Sequence, residues 1–208
     1  MIPHVQLELS RSGMLSNYRY FRSKLKDTTK LLILVKANAY GHGAVEFARE
    51  MEKAGADYLG VAFPVEGVEL KKAGIKLPIL VLTAGTESYP QLIENGLEPG
   101  IPDIGALRRF KEEVRKAGKK DYPVQIKLDT GMHRVGFMEK DLPELLEELK
   151  NSPEIKVKGI YTHLAASDEA QHDEFTLGQI STFTKGASMI GAGLGYKPMW
   201  HILNSAGI

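Results

Sequence analysis

Short apolar segments rich in β-branched residues recur along the chain, each separated from the next by a longer segment of helical character. Apolar runs of roughly four to eight residues indicate buried strands. The intervening segments are too long for hairpins, so we expect parallel strands covered by helices. The seven strand candidates are Leu31 to Val35, Tyr58 to Ala62, Pro78 to Leu82, Leu97 to Ile101, Val124 to Leu128, Ile155 to Tyr161 and Met199 to Leu203.

The ends of the predicted helices are marked by repeated sequence signals. Apolar residues at every third or fourth position between 104 and 117 predict an amphipathic helix. Three segments end in Lys-Ala-Gly, with the glycines at Gly55, Gly74 and Gly118. Glycine adopts the left-handed conformation just past a helix, and lysine in the last turn favours the negative end of the helix dipole. We therefore predict helix ends at these three places.

Two other segments have less regular patterns. Several glycines fall between Gln171 and Gly195, which predicts a helix bordered by a flexible loop. Val5 to Leu9 has the composition of a weak strand, and a helix is expected to begin near Ser12.

Seven strands are compatible with two α/β architectures. A closed (β/α)8 barrel has eight strands, and this sequence ends at Ile208, five residues after the last strand candidate. The fold is therefore either an open doubly wound sheet or a barrel of about seven β/α units. With 208 residues, 43% of them apolar, we expect one domain, residues 1–208, around a single core.

Charge and composition exclude several classes of function. The 27 Lys and Arg residues and 26 Asp and Glu residues leave a net charge of +1, without the positive excess that nucleic-acid binding requires. The sequence has no cysteine, which excludes disulfides and thiolate metal sites and is typical of a cytoplasmic protein. No apolar run approaches the roughly 18 residues of a membrane span, and no signal-peptide pattern begins the chain. We expect a cytoplasmic protein without nucleic-acid or membrane partners.

Polar segments directly follow four of the strand candidates. In barrels and open α/β sheets, ligands bind at the carboxyl ends of parallel strands. All four segments are therefore expected at one rim, which is the candidate site. They are Lys36 to Gly43, Asp129 to Arg134 with Lys127 just before them, Thr162 to His163, and Asn204 to Gly207.

Several of these residues have both a functional and a structural interpretation. Lys36 follows five apolar residues, so its amine is either desolvated and suited to nucleophilic chemistry or extends out of the strand end. Asn204 and Ser205 either bind a phosphate at a helix N-terminus or cap that helix. Lys127 and Asp129 share a strand face, which indicates an ion pair.

Position alone also leaves two interpretations for Arg134 and for His163. Arg134 follows a turn and either binds an anion or is solvated. His163 ends a strand and either contacts a planar ligand or packs in the core. The spacing of His163, Asp168 and His172 fits no zinc site, so no metal is expected.

Residues 35–44, VKANAYGHGA, resemble the cofactor-lysine segment of bacterial alanine racemases, fold-type III enzymes that use pyridoxal 5′-phosphate. The resemblance runs from about Asn17 to Ile208 and includes KLDTGMHRVG at 127–136, THLA at 162–165 and NSA at 204–206. It implies a TIM barrel of the alanine racemase type. Full-length relatives continue into an eighth strand and a C-terminal β domain, which we expect to be missing from this barrel portion.

The resemblance also implies roles for individual residues. Lys36 matches the lysine that forms the aldimine with the cofactor and acts as one of two acid/base groups at the substrate Cα. Tyr40 and Ser205 match positions that hold the cofactor phosphate, with Asn204 beside them.

Three further residues match positions around the cofactor ring. Arg134 matches an arginine near the phenolic oxygen and the substrate carboxylate. Lys127 matches a lysine that is often carbamylated and then steadies that arginine. His163 matches a histidine beside the pyridine ring.

The implied activity is isomerisation of L-alanine and D-alanine, which supplies D-alanine for cell-wall peptidoglycan. In the family, the second catalytic base is a tyrosine from the β domain across a homodimer interface. We therefore expect the full-length parent to be a homodimeric racemase and these 208 residues to be poorly active. The alternative is a non-catalytic barrel module that binds pyridoxal phosphate.

Overall fold

All seven strand candidates form one parallel sheet in the computed structural model, which describes residues 7–208. The strands pair in sequential order, β1 to β7, and helices follow the strands along the chain. The strands are β1 (Leu32–Leu34), β2 (Tyr58–Val61), β3 (Ile79–Val81), β4 (Glu98–Ile101), β5 (Tyr122–Lys127), β6 (Ile155–Tyr161) and β7 (Met199–His201). The helices are α1 (Arg11–Lys24), α2 (Lys36–Tyr40), α3 (Ala44–Ala54), α4 (Pro64–Lys72), α5 (Tyr89–Glu94), α6 (Ile104–Lys116), α7 (Leu142–Lys150) and α8 (Asp173–Leu194). The α/β class is confirmed, with seven parallel strands and helices as in a truncated barrel.

The sheet is strongly curled, as in a barrel. Strands β2 and β6 are four strands apart, which corresponds to roughly 19 Å in a flat sheet with strands about 4.8 Å apart. The Lys158 Nζ atom on β6 nevertheless lies 5.2 Å from the centre of the Tyr58 ring on β2 and 2.6 Å from Glu98 Oε1 on β4. These contacts require the concave face to bring distant strands together.

A β-bulge in β6 places Lys158 in this cluster. Val124 pairs with Val157 but Gln125 pairs with Gly159, so Lys158 is an extra residue in its strand. Bulges of this kind redirect side chains. The buried Glu98 carboxylate accepts hydrogen bonds from Lys158 and, at 2.9 Å, from Gln125 Nε2.

His201 extends the polar cluster to β7. Its Nε2 atom lies 2.6 Å from Gln125 Oε1, and its ring stacks on Tyr161 with centroids 4.9 Å apart. Because Gln125 Nε2 donates to Glu98, the Gln125 oxygen faces His201 and the imidazole Nε2 is the donor. Burial lowers the pKa of His201 to about 4, so the ring is neutral at pH 7.

The predicted helix ends are confirmed. Gly55, Gly74 and Gly118 have φ values of 91°, 88° and 66°, in the left-handed region. Helix α1 begins at Arg11 with Ser10 as its cap, close to the expected start.

The helix expected between Gln171 and Gly195 is confirmed as α8, and residues 162–169 before it form an irregular segment. Two glycines within α8 allow close packing and mark no loop. A Cβ atom at Gly193 would lie 2.5 Å from Leu146 on α7, and one at Gly186 would lie 3.1 Å from Leu128 after β5.

The strand expected at Val5 to Leu9 falls partly outside the described residues, which begin at 7. Residues 7–9 belong to no strand, and Leu7 and Leu9 are exposed.

We predict that His201 makes stability depend on pH. Its pKa is about 4 in the fold and about 6.5 in the unfolded chain, so between these values only the unfolded chain binds the proton. This contribution to the free energy of unfolding falls by roughly 2–3 kcal/mol as the pH drops from 7 to 4.5. Urea unfolding of wild type and His201→Gln at both pH values checks this, since the variant should lose that much less stability. Equal losses would contradict the assignment.

Candidate active site

The polar segments after β1, β5 and β6 carry His163 and three cationic side chains, Lys36, Lys127 and Arg134. The pKa of His163 lies below its ordinary value, first because partial burial disfavours the charged imidazolium. The positive charges of Arg134, Lys127 and Lys36 lower it further. All the strands are parallel, so the segments that follow β1, β5 and β6 lie at one edge of the sheet, as predicted.

Lys36 is the first residue of an unusual left-handed turn, α2. Ala37, Asn38, Ala39 and Tyr40 have φ values between 50° and 55°. This conformation costs roughly 1–2 kcal/mol for each non-glycine residue, and such strain is concentrated at functional sites. None of these residues is glycine, so the sequence pattern does not predict the left-handed turn.

Hydrogen bonds stabilise the turn from within and from α3. The Ala39 N–H donates to the Val35 carbonyl oxygen at 2.9 Å, and the Gly41 N–H donates to that of Ala37 at 3.1 Å. The Asn38 Oδ1 atom accepts from the backbone N–H of Ala44, the first residue of α3, at 2.8 Å.

Glu66, which sequence reasoning missed, ties the start of the same turn to α4. Its Oε1 atom accepts from the Ala37 N–H at 2.6 Å. Its Oε2 atom accepts from the N–H groups of Ala62 and Phe63 at 2.7 and 2.9 Å. One carboxylate therefore joins the turn that carries Lys36 to the N-terminus of a neighbouring helix.

Lys36 and Tyr40 both face the rim. The Lys36 Nζ atom lies 6.0 Å from the centre of the Tyr40 ring. The Lys36 side chain is half-buried, whereas Tyr40 is 58% exposed. An amine and a phenol are thus both accessible to a ligand.

Lys127 is half-buried above the Tyr161 ring, with its Nζ atom 5.7 Å from the ring centre. Its pKa is lowered, first by burial and then by the positive charge of Arg134, while Asp129 has the opposite effect. A lysine with a lowered pKa has more neutral, nucleophilic amine at neutral pH.

The ion pair indicated between Lys127 and Asp129 does not occur among the described contacts. The Asp129 Oδ1 atom instead accepts from the backbone N–H groups of Gly131 and His133, at 3.1 and 2.9 Å. These bonds hold the pKa of Asp129 below its ordinary value although burial opposes them. Asp129 therefore shapes the turn that leads to the exposed Arg134.

A buried polar network joins the loops after β5 and β6. The hydroxyl oxygens of Thr130 and Thr162 lie 2.9 Å apart. Gln179 on α8 donates to Thr130 Oγ1 and to the His163 carbonyl oxygen, and accepts from the Ala165 N–H. This glutamine fixes the backbone beside His163, and its distance along the chain hid that role from sequence reasoning.

Asn204 links the end of β7 to the loop after β6. Its Oδ1 atom accepts from Ser167 Oγ at 2.8 Å and from the Gly207 N–H at 3.0 Å, and its Nδ2 atom donates to the Leu164 carbonyl oxygen at 3.3 Å. Residues 205–207 form a turn, and the bond from the Gly207 N–H to Asn204 Oδ1 is the contact expected of a helix N-cap. Ser205 is exposed in that turn.

Residues 7–208 contain no cluster of three or more His, Asp or Glu side chains able to hold a metal ion. Within the same residues, no helix is both long enough and apolar enough to cross a membrane.

The family model for "Alanine racemase, N-terminal domain" matches residues 9–208. The chain belongs to the alanine racemase family. It is 35% identical over 206 residues to an alanine racemase from Syntrophobacter fumaroxidans, which covers 99% of this chain and 54% of that protein. It is 36% identical over 203 residues to alanine racemase 1 from Oceanobacillus iheyensis, covering 96% of this chain and 53% of that protein.

Solved alanine racemase structures share the fold. Alanine racemase from Clostridium difficile 630 in complex with cycloserine superposes with a TM-score of 0.88 at 32% identity, covering 94% of this chain and 54% of that one. The enzyme from Streptomyces lavendulae gives a TM-score of 0.87 at 31% identity, over 94% and 52% of the two chains. The chain thus spans about half the length of the racemases it matches.

We predict that Ala37→Gly stabilises the protein by up to about 1 kcal/mol, because relief of the left-handed strain exceeds the added flexibility of glycine in the unfolded chain. Ala37 is exposed, so little packing is lost. The control is Ala192→Gly, at an exposed position in right-handed α8, which should cost roughly 0.5–1 kcal/mol. Urea unfolding measures the free energy of unfolding of both variants. Equal destabilisation by the two substitutions would contradict the presence of backbone strain at Ala37.

Proposed function

We propose that these residues are the pyridoxal-phosphate-binding barrel of an alanine racemase, which interconverts L-alanine and D-alanine in the cytoplasm and supplies D-alanine for peptidoglycan. The observation that carries the proposal is Lys36, held in a strained turn at a cationic rim in a chain whose curated relatives are alanine racemases. The substrate and the homodimeric assembly of the whole protein are part of this proposal.

The chemistry of the rim fits an anionic aldehyde cofactor. The cations of Lys36 and Arg134 both act on His163, and this positive charge favours an anionic ligand. The exposed hydroxyls of Tyr40 and Ser205 are proposed to donate to the cofactor phosphate.

We assign Asn204 the task of placing Ser205. Its amide is already engaged with Ser167, Gly207 and Leu164, so it supports the phosphate-binding turn through the backbone.

When bound, pyridoxal phosphate supplies an electron sink for the negative charge that develops at the substrate Cα. Lys36 holds the cofactor through its amine and then moves the Cα proton on one face. Arg134 binds the substrate carboxylate through its guanidinium. His163, whose pKa is lowered, contacts the cofactor ring as a neutral imidazole.

Lys127 is proposed to support Arg134 as a carbamate. Its lowered pKa favours the neutral amine, which attacks carbon dioxide so that an N–C bond forms and a proton is released. The product is an anion, so the repulsion between Lys127 and Arg134 becomes an attraction.

Racemisation also needs an acid/base group on the opposite face of Cα. We propose that this group comes from the part of the racemase beyond these residues, across a dimer interface. A missing general acid or base typically costs ~10²- to 10⁴-fold in rate.

The first test is covalent capture of the cofactor. Pyridoxal phosphate is added to the 208-residue protein, the mixture is reduced with borohydride, and the labelled peptide is sequenced. We expect the label on Lys36, and Lys36→Arg should abolish it while Lys127→Arg retains it. Label on another lysine would overturn the assignment.

The second test separates catalysis from binding. With pyridoxal phosphate and alanine in deuterated water, we expect exchange of the Cα proton of one enantiomer because Lys36 serves one face, with inversion at least ~10²-fold slower. Mass spectrometry measures exchange, and chiral chromatography measures inversion, with Lys36→Arg as the control. Cofactor capture without exchange would support the non-catalytic binding module instead, and equal rates of exchange and inversion would place both acid/base groups in this chain.

A further inference from the structure

We propose that Glu66 is a positioning residue that holds the left-handed turn so that the Lys36 amine is aimed at the cofactor aldehyde. The proposal rests on the proposed function, because it concerns capture of pyridoxal phosphate by Lys36. Glu66 touches neither cofactor nor substrate in this account and acts only through the backbone.

The contacts of Glu66 exceed those of a helix cap. The N–H groups of Ala62 and Phe63 lie beside the N-terminus of α4, and their bonds to Oε2 amount to ordinary capping. The bond from the Ala37 N–H to Oε1 reaches a residue 29 positions earlier and is the shortest of the three, at 2.6 Å. Capping of α4 does not require this bond to Ala37.

The Ala37 N–H belongs to the peptide unit that joins Lys36 to Ala37. Fixing this N–H therefore fixes the direction in which the chain leaves Lys36. Four consecutive left-handed residues are strained, so the turn depends on ties to its surroundings. Asn38 ties the middle of the turn to α3, and Glu66 ties its first amide to α4.

The number of acceptors explains why a glutamate is needed. Three N–H groups from two segments require both oxygens of one carboxylate. Glutamine has a single acceptor oxygen and would turn an NH₂ group toward either Ala37 or the helix end. Aspartate retains the charge and suits a helix N-terminus, but its side chain is one methylene shorter and cannot span both segments.

The experiment compares Glu66→Gln and Glu66→Asp with the control Glu69→Gln, which changes an exposed glutamate on the same helix. Capture of pyridoxal phosphate is titrated by borohydride reduction and mass spectrometry of the Lys36 peptide. Amide hydrogen exchange at Ala37 is measured by NMR, and the free energy of unfolding is measured with urea.

We expect both Glu66 variants to weaken capture by Lys36 about 10- to 100-fold, as loss of one charge-assisted hydrogen bond predicts, and to speed exchange at Ala37 by a similar factor. Glu69→Gln should leave both unchanged. Glu66→Asp retains the helix cap, so it separates positioning from stability even where Glu66→Gln folds poorly.

The outcomes distinguish this inference from the function on which it rests. Absence of label on Lys36 in the wild-type protein would overturn the proposed function. The role of Glu66 would be overturned if the wild-type protein captures the cofactor at Lys36 and Glu66→Asp matches Glu69→Gln in both cofactor capture and amide exchange at Ala37. The proposed function would then still stand.

Discussion

A buried carboxylate, Glu98, joins several strands on the concave face of the curled sheet. Glu98 on β4 binds Lys158 on β6 and, through Gln125, is connected to His201 on β7. An uncompensated buried charge is strongly destabilising, so these partners must stay close together. These contacts lie on the concave face of the sheet, where Lys158 also reaches Tyr58 on β2. The same curl brings Lys36, after the first strand, near His163 after the sixth.

The rim above this cluster combines rigid support with local strain. The buried bonds of Gln179 fix the loop that carries His163, and Asp129 shapes the turn before Arg134. The turn after Lys36 is held in a conformation that its own residues disfavour. This combination surrounds the Lys36 amine with fixed groups, which suits the covalent bond and the proton transfer proposed for it because such chemistry depends on precise placement.

Much of this arrangement could be predicted from the sequence. Apolar runs predicted the strands because buried strands consist of consecutive apolar residues. Glycines predicted the helix ends because the residue just past a helix often adopts the left-handed conformation. The left-handed turn was missed because its residues are alanine, asparagine and tyrosine, and Glu66 was missed because its bond to the Ala37 N–H joins residues 29 positions apart. Glycine was misleading within α8, where Gly186 and Gly193 serve packing. Such tertiary causes leave no local pattern.

A crystal structure of this protein with pyridoxal phosphate would show which amine holds the cofactor. We expect continuous electron density from Lys36 Nζ to the cofactor, with the phosphate beside Tyr40 and Ser205 and the ring against His163. Cofactor joined to another lysine, or bound away from this rim while Lys36 stays free, would contradict this expectation.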